Sequence, residues 1–476
     1  MRRALALALS AAALSGCTLE PHYARPAPAV PQTWPVGTAY PPASAAALPS
    51  VSYRDVFKDP HLRAIIERAI ANNQDLQIAM ANVTIARSQY RVQRAQLLPQ
   101  IDAAAVATES QNRGAAPGST GTTSRNYDAS IGLNAFEIDL FGRLRSLSHA
   151  AQQRYFASEA GVHAARLTLV AEVADVYLTL ATDRSLLAIA SDTEASAAKS
   201  VELTGARLAG GVAPRTDLRQ AETVLEQAKS DRANLTTIVA QDRNALELLV
   251  GAPVADADLP ASIESVDGLL SEVPAGLDSR VLLRRPDVAA AEYRLRAADA
   301  QIGEARAAFF PTISLTALAG VASPQLGALF NGQNFVWSTS GSATQTLFAG
   351  GANVANLALA KGQRDLALAQ YQQAIQIAFR EVADALARRG TIDDQLSAQT
   401  SLDAAARDAY ALADARYRQG VDPFLNSLVA QRTLYTARRS LVATRFLKAD
   451  NLVSLYRTLG GDQVVDATAA PQPAGR

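Results

Sequence analysis

Cysteine occurs once in 476 residues, at Cys17, and methionine only twice. A single thiol can form neither an internal disulfide nor a thiolate metal cage, which excludes a disulfide-stapled scaffold and a zinc ribbon. The four histidines, His22, His61, His149 and His163, are scattered without metal-ligand spacing. No nucleophile elbow, phosphate-binding glycine loop or paired general acid and base is present, and Gly210-Gly211 and Gly350-Gly351 lack the pattern such a loop needs. The expectation is no enzyme, no cofactor and no metal site. An excess of charge is missing too. With 45 basic and 45 acidic residues there is no basic footprint for nucleic acid and no acidic excess of the kind that keeps a chain disordered. Aromatic residues make up 6% against 49% apolar, and alanine is abundant. Small side chains suit helices that approach closely along a seam. Beyond the N-terminus no apolar run is long enough for a membrane-spanning helix.

The N-terminus is the most specific stretch. Arg2-Arg3, the apolar run Ala4 to Leu14, and then Leu14-Ser15-Gly16-Cys17 look like an export signal (residues 1–16) ending in a bacterial lipobox. Similarity to bacterial lipoproteins implies cleavage before Cys17, a diacylglycerol on its sulfur and an acyl chain, such as palmitate, on its amino group. Several chains anchor where one would not. Thr18, in place of an aspartate, points to the outer membrane. An ordinary secretory signal with an incidental cysteine is the alternative. Residues 17–50 follow as a linker, with eight of the 21 prolines between Thr18 and Ser50. Residues 462–476, rich in Ala, Pro and Gln, read as a disordered tail.

The chain between them is duplicated. Glu172-Val173-Ala174-Asp175 returns as Glu381-Val382-Ala383-Asp384, 209 residues later, and the register holds through Arg207, Gly211, Val212 and Pro214, which return as Arg416, Gly420, Val421 and Pro423. It continues to Gly251 and Gly460. Upstream, Pro99 and Ile101 return as Pro311 and Ile313 at a spacing of 212, and Leu140-Phe141 returns as Leu347-Phe348 at 207. Long ungapped matches demand elements of fixed length, since one inserted residue would rotate every later contact. Two copies of a long helical hairpin meet that demand. The offset change falls in the Gly/Ser/Thr-rich run Gln111 to Asn126, which reads as a loop tip.

Two repeats follow, residues 51–260 and 261–461. A helix from Arg143 to Leu208 would run about 100 Å at ~1.5 Å per residue. In the next helix, Leu218, Ala221, Leu225, Ala228, Arg232, Leu235, Val239, Asp242, Leu246 and Leu249 alternate steps of three and four, which is coiled-coil spacing. Between the helices lie segments with one apolar face: strands at about 100–110, 127–140, 312–322 and 335–348, the last the weakest. Strands of about ten residues match a tilted bilayer crossing, though a soluble edge hairpin would read similarly. Four strands cannot close a barrel, and an open edge cannot face lipid, so a membrane location requires self-association. Two chains would give eight strands, and three would give twelve with room for a passage.

Phe57-Lys58-Asp59-Pro60-His61-Leu62, Asn73-Gln74-Asp75-Leu76, Asp139-Leu140-Phe141-Gly142-Arg143, Leu283-Arg284-Arg285-Pro286-Asp287-Val288 and Gly420-Val421-Asp422-Pro423-Phe424-Leu425-Asn426 closely resemble the outer-membrane lipoproteins of resistance-nodulation-division (RND) efflux systems, the NodT/OprM branch of the TolC-like family. The resemblance runs from Cys17 to Gly461. It implies a mainly α fold with a small transmembrane β part, in which a homotrimer builds a 12-stranded barrel and a periplasmic α-helical barrel. The function implied is a passive exit duct in the outer membrane of a Gram-negative bacterium, taking small toxic molecules from a periplasmic adaptor (membrane fusion) protein and an inner-membrane RND transporter. A pore-less periplasmic coiled-coil scaffold and a duct for protein secretion are the alternatives.

The same resemblance makes the two Gly-Val turns periplasmic tips. Arg207, Gly211, Val212 and Pro214, with Arg416, Gly420, Val421 and Pro423, are then the expected adaptor contacts. Glycine relieving the turn and proline starting the next helix explain these residues structurally as well. Tyr417 matches a tyrosine that helps hold the helices closed, and Asp422 stands where the founding member has arginine. Asn426 and Val429 occupy positions where some relatives carry constricting aspartates. The acidic candidate for the gate is Asp217, the repeat mate of Asn426. Three copies would form a negative ring, or each would be a helix-start carboxylate favoured by the dipole.

Overall fold

The computed structural model describes residues 18–41, 52–112, 122–266 and 279–461. The signal sequence, Cys17 and the C-terminal tail lie outside them. Each repeat supplies a helix, a strand pair, a very long helix and its returning partner. In the first these are α1 (Gln74–Ala95), β1 (Ile101–Asn112), β2 (Thr122–Glu137), α2 (Arg143–Ala209) and α3 (Arg215–Val250). In the second they are α4 (Pro286–Ala307), β3 (Thr312–Ser323), β4 (Phe335–Thr344), α5 (Ala352–Arg418) and α6 (Phe424–Thr458). The 67-residue helices α2 and α5 are equal in length, as the ungapped repeat requires. The chain forms two compact units, and each repeat contributes to both. No helix among the described residues is long and apolar enough to cross a membrane.

The first unit, which includes residues 82–159 and 290–371, holds one antiparallel sheet in the order β1-β2-β3-β4. Its register aligns Ala103, Ile131, Ala319 and Trp337 in one row and Ala105, Ala129, Val321 and Phe335 in another, so the apolar positions of all four strands share a face. Ile131, Phe335 and Trp337 on that face are exposed. On the other face Gly132 and Gly320 lie in tight crossings. A Cβ would stand 2.0 Å from the Ala317 carbonyl oxygen at the first and 2.2 Å from that of Ala129 at the second.

Two features of the sheet depart from the sequence reading. Pairing continues into the Thr-rich run expected as loop, to Gln111 opposite Thr123, because Glu109 faces and ion-pairs with Arg125 across the ladder at 3.0 Å. β2 also carries a bulge between Leu133 and Phe136. There Ala135 takes φ +50°, with its N–H donated to the Thr316 hydroxyl at 3.0 Å. β2 ends at Glu137 and β4 at Thr344, short of the expected bounds, because corners follow. In the first corner Asp139 accepts the backbone N–H of Arg145, Arg143 grips Glu137 with two donors, Gly142 takes φ +76°, and Phe141 stacks on Phe310 at 4.7 Å.

In the second unit the quoted motifs are joints. Asp59 caps the helix Pro60–Asn72 through His61 N–H at 2.8 Å and accepts the Tyr177 hydroxyl at 2.9 Å. Asn73 accepts the Leu76 N–H and donates to the Leu249 carbonyl. Arg285, almost fully buried, holds Asp287 with two donors, Glu381 at 2.9 Å and the Thr458 carbonyl at 3.1 Å, tying the start of α4 to α5 and to the end of α6. Along α3 the buried positions are Ala221, Ala228, Leu235, Leu246 and Val250, so the seam follows the seven-residue spacing over its first half.

The segment Thr18–Pro41 has neither helix nor strand but is held to both units. In the first, Tyr23 and Arg25 each bond Glu292 at 3.0 Å. In the second, Trp34 stacks on Phe379 at 4.9 Å, and a Cβ at Gly390 would meet the Ala39 carbonyl at 2.3 Å.

Candidate gate at the helical tips

Both long hairpins turn by one device. Gly211 N–H donates to the Leu208 carbonyl and Val212 N–H to that of Arg207, both at 3.0 Å; Gly420 and Val421 repeat this toward Tyr417 and Arg416 at 2.9 Å. These are the paired bonds of a Schellman cap, whose penultimate residue must be left-handed. Gly211 and Gly420 have φ +73° and +77° with no neighbour near a would-be Cβ, so conformation alone demands glycine here. Pro214 and Pro423 stand at the N-caps of α3 and α6 in extended conformation, one residue ahead of the helical start expected for them. Val212 and Val421 are exposed at the turns.

The tips differ in what locks them. Tyr417 is buried with Ala221, Phe424 and Leu428, and Val201, Leu203 and Val224 pack around them. Its ring lies 5.2 Å from that of Phe424 and carries the Arg207 guanidinium at 4.4 Å. Arg207 also donates to the Arg418 carbonyl at 2.8 Å, so a residue of the first hairpin grips the second. The Tyr417 hydroxyl is buried with no well-formed hydrogen bond among the described residues, the Arg207 guanidinium being the polar group nearest to acting on it. Burial pushes the phenol's pKa up, and Arg207 opposes that shift.

The acidic candidates also separate. Asp422 accepts two bonds from Arg416, at 2.6 and 3.1 Å, which hold its carboxyl below the usual range with help from Asn426. That pair lies in solvent, where salt screens it. Asp217, half-buried in the first turn of α3, has no ion-pair partner among the described residues and faces Tyr417 electrostatically. Its charge is the uncompensated one. The sequence reading missed the Arg207–Tyr417 stack and the Phe424 cluster, although Phe424 stood in a quoted motif. It also missed the Arg416–Asp422 pair, legible as opposite charges flanking a tight turn.

An open four-stranded sheet with an exposed apolar face, joined to two equal helical hairpins, defines the protomer of an outer-membrane channel fold. The chain belongs to the outer membrane efflux protein family, whose model matches residues 65–252 and 277–461. It is 41% identical to the toluene efflux pump outer membrane protein TtgC of Pseudomonas putida, over 99% of this chain and 98% of that one. It is 38% identical to outer membrane protein OprJ of Pseudomonas aeruginosa, over 95% and 94%. Among solved structures, the open-state MtrE outer membrane channel of Neisseria gonorrhoeae aligns with a TM-score of 0.83 at 36% identity, covering 94% of this chain and 99% of that one. CusC, solved in a study of transmembrane channel formation, aligns at 0.84 and 36%, covering 94% and 100%.

Proposed function

We infer that this chain is the outer-membrane exit duct of a tripartite efflux pump, three copies closing a 12-stranded barrel over a periplasmic helical barrel. The sheet carries the inference. Its apolar face is exposed, and β1 and β4 are edges that no strand among the described residues covers, a combination stable in lipid only once further copies close the ring. Relatives named for toluene and antibiotics support small toxic organic compounds as cargo. Energy for transport comes from an inner-membrane RND transporter, reached through a periplasmic adaptor that meets Arg207, Gly211, Val212, Pro214, Arg416, Gly420, Val421 and Pro423. Tyr417 and its neighbours hold the tip closed, Asp217 supplies a ring of negative charge, and Cys17 carries the lipid anchor. Purified trimers in planar bilayers are expected to pass ion current, with larger steps after Asp217→Ala or Tyr417→Ala. Trimers of the correct mass that conduct in none of these forms would leave a pore-less scaffold as the reading. Mass spectrometry of the mature N-terminus tests acylation of Cys17.

A further inference from the structure

Helices and strands of the first unit follow one lateral order. α1 meets α2 where Tyr90 stacks on Tyr155 at 6.4 Å, α2 meets α4 through Phe156 and Tyr293 at 5.6 Å, and α4 meets α5 where Ile302 and Ala305 pack on Ala360. The strands run β1-β2-β3-β4 in parallel with this. The order has two free ends, at α1 and β1 and at α5 and β4. The duplication says what each end lacks. Ala297 and Ala300 on α4 are 3% and 1% exposed, whereas their repeat mates on α1 are Ile85, 55% exposed, and Ser88, also exposed. At the corner Phe141 stacks on Phe310, joining the first repeat to the second. Their mates are Phe348, 89% exposed, and Leu98, 69% exposed, which do not meet within one chain.

Resting on the trimeric reading above, we propose that the missing contact is made between copies: Phe348, with Leu347 beside it, seats on Leu98 of the neighbouring copy, and the first turns of α5 cover Ile85. Burying such a phenylalanine on an aliphatic side chain removes apolar surface that water would otherwise hold open. The geometry closes because the same step, repeat one onto repeat two within a chain and repeat two onto repeat one between chains, is taken six times around the ring.

Leu98→Cys/Phe348→Cys, treated with a short bismaleimide in isolated outer membranes, is expected to give covalent dimers and then trimers as the end product. Neither single variant and not the wild type, with only Cys17, should do so. Phe141→Cys/Phe310→Cys is the geometric control and should bridge within one chain, adding the mass of one linker and giving no dimer. Native mass of the unmodified protein separates the two readings. A trimer whose Leu98→Cys/Phe348→Cys form stays monomeric under denaturing conditions, while the control bridges, overturns this contact and leaves the trimer standing. A native mass other than a trimer's overturns both, and ladders beyond three overturn the closed ring. Should the double variant not reach the membrane, Phe348→Ser changes a side chain that is 89% exposed in its own chain. It is expected to lower the temperature at which the trimer dissociates in detergent, and an unchanged dissociation temperature overturns the contact.

Discussion

Truncating Tyr417 should unlatch the tip, and the structure sets the scale. Tyr417→Ala empties the pocket shared with Ala221, Phe424 and Leu428, a loss of about 3–5 kcal/mol for a buried aromatic. It also removes the platform under Arg207, worth about 0.5–1 kcal/mol at a partly exposed site. Against this, the orphaned hydroxyl disappears, returning about 1–3 kcal/mol of desolvation. At mid-range values the net cost to the closed arrangement is roughly 3 kcal/mol, and at ~1.4 kcal/mol per decade the open fraction should rise on the order of 100-fold. Single-channel recordings read this as open probability. Tyr417→Phe is the decisive partner. It keeps ring, pocket and cation contact and deletes only the unpaired hydroxyl, so its open probability should match the wild type or fall below it. A phenylalanine variant as leaky as the alanine one would show that the hydroxyl is the latch and that the ring packing is not.

Three further outcomes follow from the fold. Arg285→Ala leaves Glu381 and the Thr458 carbonyl without their buried partner and should cost about 3–5 kcal/mol, lowering the melting temperature by circular dichroism; Arg285→Lys should not restore it, since an ammonium cannot serve three acceptors in the same fork. Asp175 is pushed up to about 7 by burial and then by Asp450 and Glu172, against Arg457. A raised folded-state pKa makes its stabilising share full below the unfolded value near 4 and lost as pH rises through about 7. Chemical denaturation from pH 4 to 8 should therefore show stability falling, and Asp175→Asn should flatten that slope; an unchanged slope refutes the assignment. At Gly320 a Cβ would stand 2.2 Å from the Ala129 carbonyl oxygen, so Gly320→Val should abolish the assembled β part, seen as loss of heat-resistant trimer in outer-membrane fractions.

What the sequence revealed depended on range. The equal hairpins, the seam of α3 and the apolar face of each strand repeat at fixed spacing, and local periodicity exposes them. The bulge at Ala135 does not repeat and has no glycine to mark it; its N–H donates to Thr316, 181 residues away. The Thr-rich end of the first strand pair read as loop because composition there matches turns, while a cross-strand ion pair extends the ladder. Prolines made the segment after Cys17 look unattached, yet Tyr23 and Arg25 meet a glutamate more than 260 residues on. At the tips the turn residues were legible from type alone. The lock was not, because Arg207 and Tyr417 are paired by the packing of one hairpin on the other.

The mismatches between the repeats bear on how such a tip could open. Two identical hairpins alternating around a ring would give every contact equal strength, and no element would yield first. Tyr417 opposite Leu208, and Asn426 opposite Asp217, break that equality. The second hairpin owns the buried aromatic lock, but the cation that grips it belongs to the first, so the lock works only while the two hairpins of one chain stay packed. The Arg416–Asp422 pair stays inside the second hairpin and can persist in either state. The uncompensated charge of Asp217 sits on the hairpin without the lock, where like charges from three copies would repel when brought together. If the proposed gate holds, closure would be a balance between a largely apolar latch and a salt-sensitive repulsion. Raising ionic strength should lower open probability in the wild type and leave it unchanged in Asp217→Asn, and an equal salt response in both would remove Asp217 from the gate.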